Sequence, residues 1–276
     1  MINMRKLSFE ETKKLELGIL KTVTSFCEEN GIRYFLAYGT LIGAARHKGF
    51  IPWDDDIDLQ MPRPDYEKFM SLYNEKNDAS PYRALLPLKD GSRHTFLKVV
   101  DTRTAKVEKG MHYEDGKAPG IDIDIFPIDG QPEDDREYEK YYKKKNRIFR
   151  EIYELVGTYS WKRKLLYLFP RIHAHILGKE KLFAKIEKIN APYPYEEAKM
   201  VGATNSLYNG IKNRTEKKNY ESHVLLEFEG EMFRAPVGYH EILSSFYGDY
   251  MILPPPEKQV THHKNETYWR NENEEI

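Results

Sequence analysis

Hydrophobic and polar positions alternate with two different periods along the chain, and the switches between them outline its elements. Ser8 with Glu11 forms a capping box, and helical spacing then predicts a helix from Phe9 to Asn30 that ends at Gly31. Tyr34–Tyr38 (YFLAY) is a short apolar, aromatic run that predicts a strand. Gly39-Thr40 follows, then a helix from Leu41 to about His47. An acidic strand is predicted to end near Met61, and Asp65–Tyr73 resumes a helix after Pro64. Thr95–Asp101 and Thr104–Glu108 read as strands. Ile121–Phe126 alternates isoleucine with Asp122 and Asp124, the period of a half-buried strand, and completes a small mixed sheet. Glu133 to about Asn190 is mainly helical; the rest mixes short strands with a helix near Tyr239–Phe246 and a proline-rich tail. No internal repeat or low-complexity linker interrupts this order.

Composition narrows the picture a little. A chain of 276 residues can bury one sizeable core, or one core with an appended subdomain. Its net charge of −1 sets up no global field for nucleic acid. The single cysteine, Cys27, excludes an internal disulfide and falls in the first helical pattern as a core thiol. The start, MINMRKLSFEETKK, lacks an apolar signal region, and no apolar run of about 18 residues exists. The expected setting is cytoplasmic, with peripheral contact at the inner face of the cell membrane. That contact would come from the helical middle, where Arg136–Lys188 holds 15 Lys/Arg against 6 Asp/Glu, interleaved with tyrosines. One reading is a helical subdomain with a solvated basic face; the other is a surface for an anionic, lipid-linked acceptor or the membrane itself. His173 and His175, two apart on a helix, make a poor metal pair.

The chemistry concentrates in Tyr38–Asp58, YGTLIGAARHKGFIPWDDDID. Asp54, Asp55, Asp56 and Asp58 crowd within five residues, which is costly unless a cation offsets them. On a strand Asp56 and Asp58 would point to one face while Ile57 and Leu59 pack on the other. Oxygen ligands so presented suit Mg²⁺, which binds through one or two carboxylates plus substrate phosphates. Asp54, Asp56 and Asp58 also match three positions of an EF-hand loop, but Leu59 stands where that loop needs Gly and Asp65 where it needs Glu. A strand, a Gly-Thr turn and a helix start can offer backbone N–H groups and a hydroxyl to a phosphate. Arg46, His47 and Lys48 close that element, placed to meet a diphosphate. A further carboxylate comes from GIDIDIFPIDG, with Asp124 as the ligand and Asp122 supporting it or facing solvent. Lys98 and Arg103 could reach a donor phosphate as point charges or face water, and Trp53 would wall the site. His262 and His263 either contact a substrate or stand in solvent.

These motifs resemble the LicD/fukutin family, a branch of the nucleotidyltransferase (polymerase-β-like) superfamily. The resemblance rests on YGTLIGAARHKGFIPWDDDIDL, on RPDYEKF at Arg63–Phe69 and on DIFPIDG at Asp124–Gly130, with a weaker match in YGDYMILPPP at Tyr247–Pro256. It implies an α+β nucleotidyltransferase fold: a small mixed sheet flanked by helices, with a helical insertion and a C-terminal extension. The expected parts are a catalytic core over 1–130, a basic helical subdomain over 131–195 and a C-terminal part over 196–276. It also implies transfer of a phospho-alcohol, phosphocholine foremost, from CDP-choline or another CDP-alcohol to a glycan hydroxyl of lipopolysaccharide, teichoic acid or capsule precursor. Asp56, Asp58 and Asp124, with Asp54, would hold one or two Mg²⁺, Mn²⁺ being an alternative. Gly39, Thr40, Arg46, His47, Lys48 and Lys98 would bind the donor, and no nucleic acid would be involved. Two other readings stay open: nucleotidyl transfer from an NTP to a small molecule, and an inactive glycan- or membrane-binding scaffold.

Overall fold

A computed structural model describes residues 5–89, 92–108, 118–156, 167–203, 212–261 and 265–271. The chain begins with β1 (Arg5–Lys6), α1 (Phe9–Glu29), β2 (Phe35–Leu36) and α2 (Tyr38–Ile42), which runs on into a π-helical turn at Gly43–His47. Next come β3 (Asp58–Pro62), α3 (Arg63–Lys76), β4 (Tyr82–Leu85), β5 (Leu97–Asp101), β6 (Thr104–Glu108) and β7 (Asp122–Gln131). Among the described residues three helices follow: α4 (Asp135–Val156), α5 (Leu168–Leu177) and α6 (Lys179–Asn190). The last part holds β8 (Met200–Ala203), β9 (Thr215–Glu216), β10 (His223–Phe228), β11 (Glu231–Pro236), α7 (Tyr239–Tyr247) and β12 (Asn265–Trp269).

A seven-stranded sheet organises these elements, larger than the small sheet expected. Its path is β2-β3-β7-β5-β4, with β8 on the far half of β7 and β9 on β8. β3 and β7 are parallel and the other pairings antiparallel, so the sheet is mixed. β6, expected in the same sheet, instead pairs with β12, which also carries β1. β10 and β11 form a hairpin whose two turn residues, Glu229 and Gly230, both have positive φ (52° and 80°), the geometry that matches strand twist.

α1 forms as the sequence pattern demands. Ser8 Oγ accepts from the Glu11 N–H at 3.2 Å, and Glu11 Oε2 accepts from the Ser8 N–H at 2.7 Å. Its inward stripe, including Ile19, Leu20, Val23 and Cys27, shares one core with Leu59, Ile123, Ile125 and Val99 from the sheet. Other boundaries moved. The strand expected over Tyr34–Tyr38 shrinks to Phe35–Leu36, and Tyr38 opens α2 with φ +46°. The acidic strand begins only at Asp58, leaving Asp54, Asp55 and Asp56 in the loop before it. β7 runs on to Gln131, past the predicted end at Phe126, because its far half gains a second partner in β8.

α4, α5 and α6 enclose a separate core of Tyr138, Tyr141, Phe149, Ile152, Ala174, Leu182 and Ile186. Among the described residues no helix is long and apolar enough to cross a membrane. Lys145 is buried in this unit, its ammonium 4.9 Å from the centre of the Tyr141 ring. Burial drives its pKa down to about 7, opposed by the charge of Asp129. The unfolded chain, with an ordinary lysine pKa of 10.5, binds the proton more tightly. Stability therefore rises with pH from about 7 to about 10.5. Lys145→Met is expected to stabilise the protein by on the order of 2 kcal/mol at neutral pH and to flatten that rise. Thermal midpoints measured across that pH range check it; a lower midpoint for the Met variant would contradict it.

Candidate active site

Strand register builds the centre of the site. Parallel pairing sets Asp58 of β3 opposite Asp124 of β7, and antiparallel pairing sets Lys98 of β5 opposite the same Asp124. One row across three strands thus carries carboxylate, carboxylate and ammonium. Asp122, two residues from Asp124 and on the same face, lies opposite Val100. The Lys98 ammonium donates to Asp124 Oδ1 at 2.5 Å and also to Asp122 Oδ2, while Lys106 of β6 donates to Asp122 Oδ1 at 2.8 Å.

This wiring separates the carboxylates electrostatically. Burial alone would raise the Asp122 pKa, but the ammoniums of Lys106 and Lys98 outweigh it and hold that carboxyl well below the usual range. Asp124 goes the other way: burial and the charge of Asp122 raise it to about 6 although Lys98 opposes them. Asp58 is pushed well above the ordinary carboxylate value, first by burial and then by the charges of Asp56, Asp124 and Asp54. Of these causes, the charges of Asp54, Asp56 and Asp124 around Asp58 are the ones that also favour a bound cation there.

The Gly-Thr turn serves this cluster directly. Thr40 is buried, and its hydroxyl accepts the Asp58 N–H at 2.8 Å, fixing the start of β3. At Gly39 a Cβ would stand 2.5 Å from Asp54 Oδ2, so glycine lets the acidic loop close onto the turn. Arg46 donates to His47 Nε2 at 2.9 Å and to the carbonyl of Tyr250 at 2.5 Å, tying the turn to the C-terminal part. Lys48 is largely exposed and pairs with Glu227 of β10 at 3.2 Å. Trp53 packs against the core, edge-on to His47 with ring centres 6.5 Å apart.

Residues 31–161 match the family described as LicD/FKTN/FKRP, nucleotidyltransferase domain. The chain is also 36% identical to the lipopolysaccharide cholinephosphotransferase LicD of Haemophilus influenzae, over 96% of this chain and 99% of that protein. The chain belongs to the LicD family. It is therefore a phosphotransferase of that family. Two more distant likenesses are local. The human ribitol 5-phosphate transferase FKRP is 44% identical over 52 residues, 19% of this chain and 9% of that protein. Mannosyltransferase regulator 4 of Saccharomyces cerevisiae is 28% identical over 110 residues, 40% of this chain and 9% of that protein.

The LicD-family site suits a hard divalent cation by its donor type. Among the described residues no three His, Cys, Asp or Glu side chains converge closely enough to enclose an ion. A cage of that kind is not what Mg²⁺ requires, because it keeps several waters and completes its shell with substrate phosphates. Asp58 and Asp124, opposed on neighbouring strands, could supply the one or two carboxylates needed. An EF-hand arrangement is ruled out: the chain enters β3 at Asp58, and Asp65 is held by the Arg33 backbone N–H and Nε, both at 2.7 Å.

Several site residues differ from the sequence reading. Lys98 neither lies on an edge strand nor faces water; it is buried between β7 and β4 as the counter-ion of Asp122 and Asp124. Asp122 is buried rather than solvent-facing. Arg103 pairs with Asp101 at 2.7 Å and stacks near Trp269. His173 meets Glu151 at 3.0 Å, away from the acidic cluster. His262 and His263 lie outside the described residues.

Some neighbours were not anticipated. Lys106 had a signal, a lysine inside the period-2 strand TAKVE. Glu16 had one too, an acid within the apolar stripe of α1; it is fully buried, and burial pushes its carboxyl well up despite Lys106. Tyr247, at the end of α7, has its phenol pushed up by desolvation and then by the charges of Asp58, Asp54 and Asp56. The Thr261 hydroxyl donates to Asp55 Oδ1 at 3.1 Å. Tyr247 opens the YGDYMILPPP stretch and Thr261 had no signal; nothing local ties either to the acidic loop, which they reach from about two hundred residues away in sequence.

Proposed function

We propose that this chain transfers phosphocholine from CDP-choline to a hydroxyl of a cell-surface glycan, lipopolysaccharide foremost, on a nucleotidyltransferase-type core in the cytoplasm. The observation that carries this reading is the Asp58–Asp124–Lys98 row, set across β3, β7 and β5 in a chain that aligns end to end with a lipopolysaccharide cholinephosphotransferase.

Asp124, with its proton affinity raised to about 6, is suited to take a proton near neutral pH. It accepts the proton of the glycan hydroxyl. That oxygen forms a bond to the choline-bearing phosphorus as the bond from this phosphorus to the bridging oxygen breaks, and CMP leaves. Asp58 and Asp124 would hold Mg²⁺ from the protein side, with Asp54 and Asp56 adding negative charge beside them; when bound, the ion neutralises the diphosphate and lowers the pKa of the attacking hydroxyl. The backbone of Gly39-Thr40 and the Arg46–Lys48 turn would orient the diphosphate. Lys98 and Lys106 hold Asp122 and Asp124 in place, so Asp124 meets the hydroxyl in one fixed pose. Positioning and charge neutralisation account for most phosphoryl-transfer catalysis, and these residues supply both.

The test is CMP release in the presence of Mg²⁺ and a cell-envelope glycan fraction, with CDP-choline, CDP-ribitol and CDP-glycerol supplied separately. CMP from CDP-choline, abolished by EDTA, is the expected result. CMP from another donor would reassign the alcohol. Pyrophosphate released from an NTP, with no CMP from any donor, would overturn the reading in favour of nucleotidyl transfer.

A further inference from the structure

The helical unit presents a surface that the reaction does not use. α5 buries only Ala174 fully against its neighbours. Its outer side is apolar: Leu168 is 42% exposed, Phe169 83%, Ile172 47% and Ile176 76%. Spacings of three, four and seven residues align these side chains in one stripe along the helix. Surface apolar residues occur singly on most proteins, but four in one stripe on a short helix form a contiguous patch.

The charge around this stripe is one-sided. The described residues of 136–188 hold 12 Lys/Arg against 6 Asp/Glu although the whole chain nets −1, so a positive excess is concentrated here. The exposed charges keep that sign: nine basic residues, among them Lys144, Arg147, Arg150 and Lys185, are exposed against Glu137, Glu139 and Glu180, while Lys145, Glu151 and Glu154 are buried. Glu151 meets His173 of α5 at 3.0 Å and lies 3.7 Å from Arg147 of α4, which puts an exposed guanidinium beside the stripe.

We propose that α5 and the basic residues beside it dock onto an anionic lipid bilayer, with Leu168, Phe169, Ile172 and Ile176 entering the headgroup boundary. An apolar stripe rimmed by cations fits such an interface: the apolar side chains leave water while Lys and Arg meet lipid phosphates. A second copy of this chain fits poorly, because self-association through this face would oppose like charges. Docking here holds the enzyme at a surface without spanning it, and it stands or falls independently of which phospho-alcohol is transferred.

Co-sedimentation of the full chain with vesicles tests the proposal. Wild type is expected to pellet with equimolar phosphatidylglycerol and phosphatidylcholine, and about tenfold less with phosphatidylcholine alone or in high salt. The double variant Phe169→Ser/Ile176→Ser is expected to lose about tenfold in vesicle affinity, as is Lys144→Glu/Arg147→Glu, with helical circular dichroism unchanged. CMP release with a water-soluble acceptor should be the same in all three proteins, which separates this result from the reaction itself. Failure of the wild type to pellet, or pelleting indifferent to the serine variant, would overturn the proposal. So would self-association by light scattering that the serine variant abolishes without vesicle binding in the wild type.

Discussion

Asp58→Asn is expected to lower turnover by at least about a thousandfold, roughly 4 kcal/mol of transition-state stabilisation, without lowering the thermal midpoint. The activity loss follows from the proposed role of Asp58, which lies opposite Asp124 and would there help hold the cation that offsets the donor diphosphate. The stability half of the prediction follows from sign. Burial and the charges of Asp56, Asp124 and Asp54 raise the Asp58 pKa above its ordinary 3.8, so the folded state binds the proton more tightly than the unfolded one. Stability from this group is therefore lost as pH rises above 3.8 towards the folded value, so that relative to low pH the group is a net cost at neutral pH. Asparagine removes that cost. The Asp58 backbone N–H keeps its bond to Thr40, so the strand start survives. Steady-state CMP release and a thermal melt check both halves. A variant with wild-type turnover would remove Asp58 from the metal site, and one that is inactive but poorly folded would show that its carboxylate is structural.

Arg63→Met is expected to show the opposite profile, with a large loss of stability as the primary effect. Arg63 opens α3, and its guanidinium grips Asp129 of β7 through two bonds, Nε to Oδ1 at 2.5 Å and Nη2 to Oδ2 at 2.7 Å. Both side chains are withdrawn from solvent, at 15% and 4% exposure. Removing one partner leaves the other carboxylate buried, which costs roughly 3–5 kcal/mol. In a chain of this size that lowers the midpoint by about 10 °C. Arg63→Lys should recover only part of it, because an ammonium cannot reproduce the planar two-bond fork. Asn190 and Tyr141 lie on the far side of Asp129, with Tyr141 Oη donating to Asn190 Oδ1 at 2.9 Å, so the damage should spread to the helical unit. Differential scanning calorimetry of the three proteins decides it. A midpoint shift of only a degree or two in the Met variant would mean that Asp129 is satisfied without Arg63.

Local pattern carried the elements that depend on neighbours in sequence. The capping box of α1, the strand at β5, the alternation at the start of β7, the helices α4, α5 and α6 within the predicted helical middle (residues 157–166 lie outside the described ones) and the acidic run were all legible from local pattern. Capping bonds and strand periodicity are set within a few residues, so the chain states them directly. Motif likeness added the family, which the near end-to-end match to a LicD protein bears out.

What the sequence left undecided depends on partners far along the chain. Whether Lys98 faced water or a phosphate could not be read from TFLKVVD, because either face of a strand fits that pattern. Only the pairing of β5 with β7 buries it against Asp122 and Asp124. The same holds for β6, which reads as a strand but takes β12, some 160 residues away, as its neighbour. The proton affinities of the three central carboxylates follow from this assembly. Asp122 and Asp124 are two residues apart and chemically identical, yet one is held low by two ammoniums while the other is raised by burial with only one beside it. Sequence determined which charged groups the site contains; sheet register, which fixes distance and burial, decided what each of them can do.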